Sequence, residues 1–115
     1  MSDYHIRGGR PLSGTVQLSG AKNAASKLLL AALLTNERCE ISNVPDIGEI
    51  EIANQLIAST GAQIERQHDR VIVTAVSVRG DAISEQSRRN RLPVLAIGPL
   101  LHRSGSTRVP RVSGD

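Results

Sequence analysis

A lysine and an asparagine stand directly before one of the most apolar runs of the chain. The stretch SGAKNAA, at 19–25, places Lys22 and Asn23 ahead of LLLAALL at 28–34. A cation in the first turn of a helix opposes the helix macrodipole, at a cost of about 0.3–1 kcal/mol at an exposed site. The position becomes favourable if an anion is shared between the ammonium group and the free N–H groups of the helix start. The pattern indicates an anion-binding helix start; the alternative is a solvated lysine with Asn23 as the helix cap.

Three arginines form a second group that could bind an anion. Arg88, Arg89 and Arg91 lie just before Pro93, where a helix is predicted to start. The planar guanidinium group favours bidentate contact with carboxylate or phosphate, so the cluster could hold an anionic substrate. The alternative is a charged surface loop without a ligand.

The histidines and the cysteine do not form a site by their spacing. The histidines at 5, 68 and 102 are widely separated and lack the spacing of metal ligands. Cys39 is the only cysteine, which excludes an intramolecular disulfide and a zinc site of several cysteines.

Composition and charge limit the class of protein. The 115 residues suffice for one domain or for a piece of a larger one. A net charge of +3 indicates an anionic partner. Modules that bind single strands or RNA stack bases on aromatic rings, and Tyr4 is the only aromatic residue, which favours discrete anion pockets. No signal peptide or membrane span is visible, so we expect a soluble cytoplasmic protein.

Apolar periodicity predicts an α/β chain with the element order β-α-β-α-β-β and helices buried against a sheet. The first helix is apolar nearly all round and is expected in an interior. The second is expected to start with Asp46 and Glu49 as a variant capping box. The predicted elements are strands at 4–7 and 15–18, a helix at 23–35, a strand at 39–44, a helix from 46 ending at Gly61, a hairpin turning at 67–70, a helix from 93 to Gly105 that Gly98-Pro99 kinks or divides, and a strand at about 106–112.

Three segments together resemble a known family. LSGTVQLSGAKNAASKLLLAALLT, ISNVPDI and LAIGPLLHRSG are similar to the N-terminal portion of the bacterial enolpyruvyl transferases that act on UDP-N-acetylglucosamine, and more distantly to 5-enolpyruvylshikimate-3-phosphate synthase. The similarity spans nearly all of the chain. It implies transfer of the enolpyruvyl group of phosphoenolpyruvate to the 3-hydroxyl of UDP-N-acetylglucosamine, the first committed step of peptidoglycan synthesis, without a metal or a cofactor.

The resemblance also implies a fold and a domain division. The family fold is an inside-out α/β barrel of two domains built from β-α-β-α-β-β units. Residues at about 1–20 would pair with a C-terminal domain, and residues at about 21–115 would start the first barrel domain. The family's chain is several times longer and supplies further arginines and an acidic base, so we expect the 115 residues alone to be inactive.

Individual site residues carry over from the family pattern. Lys22 matches a contact to phosphoenolpyruvate, Asn23 a residue that holds the sugar nucleotide near the reacting hydroxyl, and Arg91 an arginine that binds phosphoenolpyruvate. Asp115 matches the position of a catalytic cysteine, a variant that some members have. A carboxylic acid there could donate a proton to the phosphoenolpyruvate methylene if burial raises its pKa.

Two departures from the family pattern keep other functions open. Leu92-Pro93 stand where the family has Ala-Ser, and Val112-Ser113-Gly114-Asp115 where it has Pro-Gly-Gly-Cys. The alternatives are a small basic α/β module that binds phosphate or RNA through Lys22 and the arginine cluster, and a degenerate paralogue without catalysis.

Overall fold

The computed structural model describes residues 2–81, 83 and 91–111. Within these residues, four helices, a 3₁₀ turn and three strands follow one another in an α/β order. In chain order they are helix α1 (Lys22–Ala31), the 3₁₀ turn (Ala32–Leu34), strand β1 (Arg38–Ile41), helix α2 (Gly48–Ser59), strands β2 (Gln63–Gln67) and β3 (Arg70–Thr74), and helices α3 (Leu92–Leu95) and α4 (Ile97–Ser104).

The three strands form one antiparallel sheet in the order β1-β3-β2. Thr74 at the end of β3 lies opposite both Arg38 and Gln63, which sets the register on the two sides. The predicted hairpin is confirmed: β2 and β3 are joined by His68 and Asp69, and His68 has a φ of 54°, the left-handed conformation that such tight turns require. β3 is the central strand, and its apolar residues at 71–73 are all buried.

The core is aliphatic, as the absence of Phe and Trp requires, and lies between the sheet and two helices that pack on each other. Burying each of its large side chains contributes about 1.5–3 kcal/mol. Its fully buried leucines and isoleucines include Leu29, Leu30, Leu33, Ile50, Leu56 and Ile57. The prediction that the first helix is enclosed is only partly confirmed. Leu28 in α1 and Leu34 in the 3₁₀ turn remain 54% and 47% exposed, so part of this segment faces outward.

Both helix starts differ from the prediction. α1 begins at Lys22 with Ala21 as N-cap, so Asn23 lies inside the first turn and the capping role considered for it is wrong. α2 begins at Gly48 with Ile47 as N-cap and no side-chain cap, so the capping box is also wrong. Asp46 lies outside the helix with its side chain 98% exposed, where one carboxylate oxygen is 3.4 Å from Arg66. Its partner in the predicted box, Glu49, instead pairs with Lys22.

Two helices end at glycines with a positive φ. Gly61 (φ 95°) follows α2 directly after its C-cap, and Gly105 (φ 75°) closes α4, so both predicted stops are confirmed. The predicted helix from 93 is divided, but at Ala96 rather than at Gly98-Pro99. Pro99 lies in the first turn of α4, where its missing N–H costs no helical hydrogen bond.

Three predicted strands are absent from the described residues. The segments at 4–7, 15–18 and 106–111 have no strand, because a strand needs a partner strand for its backbone groups and none of the described strands pairs with them. The first two are highly exposed, with Ile6 and Val16 at 90% and 83%. In the third, Arg108 N–H donates to the Gly80 carbonyl. No helix among the described residues is long and apolar enough to cross a membrane.

Candidate functional site

A cleft of about 620 Å³ opens at the N-terminal end of α1, where residues from α1, α2 and α3 meet. We call it the α1 cleft. It is defined by Asn23, Ser26, Lys27, Glu49, Arg91, Leu92 and Leu95. The cleft therefore brings together Asn23 and Arg91, two predicted site residues that are far apart in the sequence.

The α1 side of the cleft follows from helical spacing. Asn23, Ser26 and Lys27 lie three and four residues apart and therefore share one face of α1. The opposite face, with Ala25, Leu29 and Leu30 buried in the core, fixes the helix. No side chain caps the helix start, so its first N–H groups are not satisfied by a capping side chain and can meet a ligand or water.

Lys22 stands beside the cleft, joined to its wall by an ion pair. Its ammonium nitrogen lies 2.9 Å from Oε2 of Glu49, with the two side chains 58% and 24% exposed. The hydrogen bond from Lys22 lowers the pKa of the Glu49 carboxyl below its ordinary value of 4.5, against an opposing effect of burial; Ser26 and the charge of Lys27 add to the lowering. Glu49 is thus a carboxylate at neutral pH, and Lys22 is held at the cleft.

Ser26 lies beneath this ion pair and is itself buried. Its hydroxyl is 3.3 Å from the Lys22 carbonyl oxygen and is also within hydrogen-bonding reach of Glu49. A hydroxyl has one proton, so Ser26 donates to only one of these acceptors at a time. It connects the first turn of α1 to the first turn of α2.

Arg91 enters the cleft from the start of α3. It is the N-cap residue of that helix, and its carbonyl accepts the Val94 N–H at 3.1 Å. Leu92 and Pro93, which depart from the family pattern directly after Arg91, are buried. Pro93 occupies the first turn of α3, where proline favours a helix start. Leu92-Pro93 thus anchor the backbone that carries Arg91 while leaving its side chain on the exposed side.

The remaining predicted residues lie outside the described part of the chain. These are Arg88, Arg89, Asp115 and the departing residues Val112 and Ser113. Sequence reasoning missed Ser26, Lys27 and Glu49 as cleft residues. Helical spacing from Asn23 could have found the first two, whereas Glu49 reaches the cleft through tertiary packing of α2 on α1. Within the described ranges, no group of three or more His, Cys, Asp or Glu could hold a metal ion.

Comparisons with known proteins agree on one family. The family model of EPSP synthase (3-phosphoshikimate 1-carboxyvinyltransferase) matches residues 6–115. Among curated relatives, UDP-N-acetylglucosamine 1-carboxyvinyltransferase of Acidiphilium cryptum is 38% identical over 99% of this chain, and that of Desulfosudis oleivorans is 43% identical over 95%. The chain spans only 28% and 26% of the lengths of these two proteins.

A solved structure shows the same fold. The enolpyruvyl transferase NikO from Streptomyces tendae matches with a TM-score of 0.70 and 26% identity, over 85% of this chain and 23% of its own. The enolpyruvyl transferase fold is an inside-out α/β barrel, and the match confirms the predicted fold class, with this chain forming part of such a barrel. The chain belongs to the EPSP synthase (3-phosphoshikimate 1-carboxyvinyltransferase) family.

Proposed function

We propose that this chain forms part of an enzyme that transfers the enolpyruvyl group of phosphoenolpyruvate to the 3-hydroxyl of UDP-N-acetylglucosamine. The reaction releases phosphate and is the first committed step of peptidoglycan synthesis. The names of the curated relatives support this substrate pair. Phosphoenolpyruvate and the diphosphate group of the sugar nucleotide are both compact and multiply charged, in agreement with the cationic surroundings of the α1 cleft.

The observation that carries the proposal is the meeting of Asn23 and Arg91 in one cleft, with Lys22 held beside it. Lys22 and Arg91 contact phosphoenolpyruvate, the lysine as a compact charge and the arginine as a bidentate donor. Asn23 holds the sugar nucleotide near the reacting hydroxyl. The uncapped start of α1 offers further N–H groups to the same anion.

Asp115 is proposed as the general acid of the reaction. Its carboxylic acid protonates the methylene carbon of phosphoenolpyruvate. The 3-hydroxyl of the sugar attacks the neighbouring carbon and gives its proton to an acidic base from the remainder of the enzyme. Loss of the added proton and of phosphate then restores the double bond in the product. This role requires that Asp115 is protonated when the substrate binds, which burial of the carboxyl would favour.

We propose that the 115 residues alone bind the substrates but do not catalyse the transfer. Residues at about 21–115 start the first barrel domain, and residues at about 1–20 pair with the remainder of the enzyme. The pairing of residues 1–20 with the remainder of the enzyme is supported by their large exposed apolar side chains, Tyr4, Ile6, Leu12, Val16 and Leu18. We propose a cytoplasmic enzyme that needs no metal, no membrane and no nucleic acid.

Phosphate release by a full-length form of the enzyme tests the proposal. With both substrates present, we expect turnover, and we expect Lys22→Ala and Arg91→Ala to reduce kcat/KM for phosphoenolpyruvate by at least tenfold. Arg38→Ala is the matched control, because Arg38 is a similarly exposed cation on β1, outside the cleft. Absence of phosphate release, or equal losses in the cleft variants and the control, would contradict the proposal.

A further inference from the structure

The carboxylate of Glu49 occupies a position suited to a substrate anion. It projects from the first turn of α2 and meets the ammonium group of Lys22 from the first turn of α1, at 2.9 Å. The same carboxylate lines the α1 cleft together with Asn23 and Arg91. Lys22 therefore already has an anionic partner in the structure, and that partner belongs to the protein.

The charges around the cleft are unbalanced in favour of anions. Lys22 and Lys27 are cationic, and Glu49 is the one carboxylate among the described residues that define the cleft. The lowered pKa of Glu49 has the same origin, because the nearest cations stabilise its charged form. A single carboxylate does not neutralise two lysines, so a second anion is still attracted to this side of the cleft.

The ion pair is weak enough to be exchanged. More than half of the Lys22 side chain is exposed, so water solvates its charge, and ion pairs with an exposed partner contribute little. The lysine side chain is flexible, and its ammonium group has three donors. A phosphate group carries more charge than a carboxylate and can accept the same donors, so it can take the place of Glu49.

We infer that Glu49 is an internal counter-anion, which holds Lys22 at the α1 cleft and competes with the substrate's phosphate group for it. Glu49 is therefore a positioning residue that lowers the affinity of the cleft for anions. The inference rests on the proposed function, since it takes the α1 cleft to be the substrate's anion site. Removal of the charge at Glu49 while its shape is kept should then tighten anion binding.

Titration of the 115-residue chain with inorganic phosphate, and separately with phosphoenolpyruvate, tests this inference. Binding is followed by NMR through the backbone amides of Lys22 and Asn23. We expect Glu49→Gln to lower the Kd for both anions about two- to fivefold, the range given by the loss of one exposed ion pair. Glu49→Ala removes the same charge and serves as a second variant, and the dispersion of the amide spectrum shows that each variant is folded.

Two controls separate a local effect from a general one. Glu51 lies on the same turn of α2, but its carboxylate accepts a hydrogen bond from Gln55 at 3.2 Å and is not part of the cleft. Glu51→Gln changes the net charge equally and should leave Kd unchanged. In a Lys22→Ala background, Glu49→Gln should lose most of its effect, because the competition acts through Lys22.

The outcomes distinguish the inference from the proposed function. Phosphate binding that Glu49→Gln leaves unchanged or weakens overturns the inference and leaves the proposed function standing. An equal effect of Glu51→Gln also overturns it. If neither anion shifts the amides of Lys22 and Asn23 in the wild-type chain, the α1 cleft is not an anion site. Both the inference about Glu49 and the proposed function are then wrong.

Discussion

Arg103 connects the last turn of α4 to the ends of two other elements, and its replacement gives a stability prediction of definite size. Its guanidinium group donates to the Leu33 carbonyl at 3.0 Å, the Ala75 carbonyl at 2.8 Å and the Val76 carbonyl at 3.2 Å. Leu33 lies in the 3₁₀ turn, and Ala75 and Val76 directly follow β3. A single side chain therefore satisfies backbone groups from two segments that the helix packs against.

The size of the effect follows from the number and burial of these bonds. A hydrogen bond from a charged group contributes about 1.5–3 kcal/mol when buried. Arg103 is half-buried, its Nη2 divides two bonds between neighbouring carbonyls, and water can reach the acceptors once the group is gone. Arg103→Met keeps the aliphatic stem, so we expect a loss of about 2–3 kcal/mol in the free energy of unfolding.

Urea unfolding followed by circular dichroism measures this loss through the transition midpoint at unchanged slope. In a domain of this size the melting temperature should fall by roughly 10–20 °C. Arg38→Met is the matched control: its partner Glu40 is 3.1 Å away on an exposed surface, and we expect a change within about 0.5 kcal/mol. If Arg103→Met costs no more than Arg38→Met, the three hydrogen bonds do not stabilise the fold as argued.

Three further predictions concern the site and its supports. A Cβ at Gly20, which precedes the N-cap of α1, would collide with the Asn43 carbonyl, so Gly20→Ala should cost about 1–3 kcal/mol and weaken anion binding. Gly48→Ala, at the start of α2 with nothing beyond its chain neighbours within 4 Å, should be neutral or stabilising in the same urea titrations. Folding lowers the pKa of Glu49, so its carboxylate stabilises the fold above pH 4.5, and this stabilisation is lost as the pH falls through the pKa of the folded state. The difference in the free energy of unfolding between wild type and Glu49→Gln should therefore shrink below pH 4.5. An epoxide that alkylates the family's cysteine should not label Asp115 in a full-length form, because a carboxylic acid is a weaker nucleophile than a thiolate. Mass spectrometry should detect labelling only in Asp115→Cys, and a labelled Asp115 would refute this prediction.

Local patterns predicted the elements that depend on local interactions. The β2–β3 hairpin followed from alternating apolar residues around a turn whose His68 adopts a left-handed conformation. α2 followed from its apolar repeat, and Gly61 and Gly105 marked helix ends because they adopt positive φ. Each of these signals lies within a few residues of the feature it predicts.

Features that depend on distant partners were mispredicted or missed. Asp46 and Glu49 have the spacing of a capping box, but Arg66 and Lys22 provide charged partners from other elements, and neither acid caps α2. The segments at 4–7 and 15–18 have the composition of strands, yet composition does not supply a partner strand.

The candidate site was predicted in part, and mainly through the family resemblance. Spacing alone singled out Lys22 as a cation at a helix start, but it also suggested that Asn23 was a cap. The resemblance selected Arg91 from the arginine cluster, and the fold brings it to the same cleft as Asn23. Glu49 could not be found in this way, because its place beside Lys22 depends on how α2 packs on α1.

The central claim is that Lys22, Asn23 and Arg91 belong to one substrate site, and a ligand titration tests it most directly. The 115-residue chain, labelled with ¹⁵N, is titrated with UDP-N-acetylglucosamine and then with phosphoenolpyruvate. We predict that the sugar nucleotide causes saturable shifts of the Asn23 amide, and that phosphoenolpyruvate causes saturable shifts of the Lys22 amide and the Arg91 side chain. The shifts caused by phosphoenolpyruvate should be lost in Lys22→Ala. Shifts that avoid all three residues, or that persist unchanged in Lys22→Ala, would contradict it.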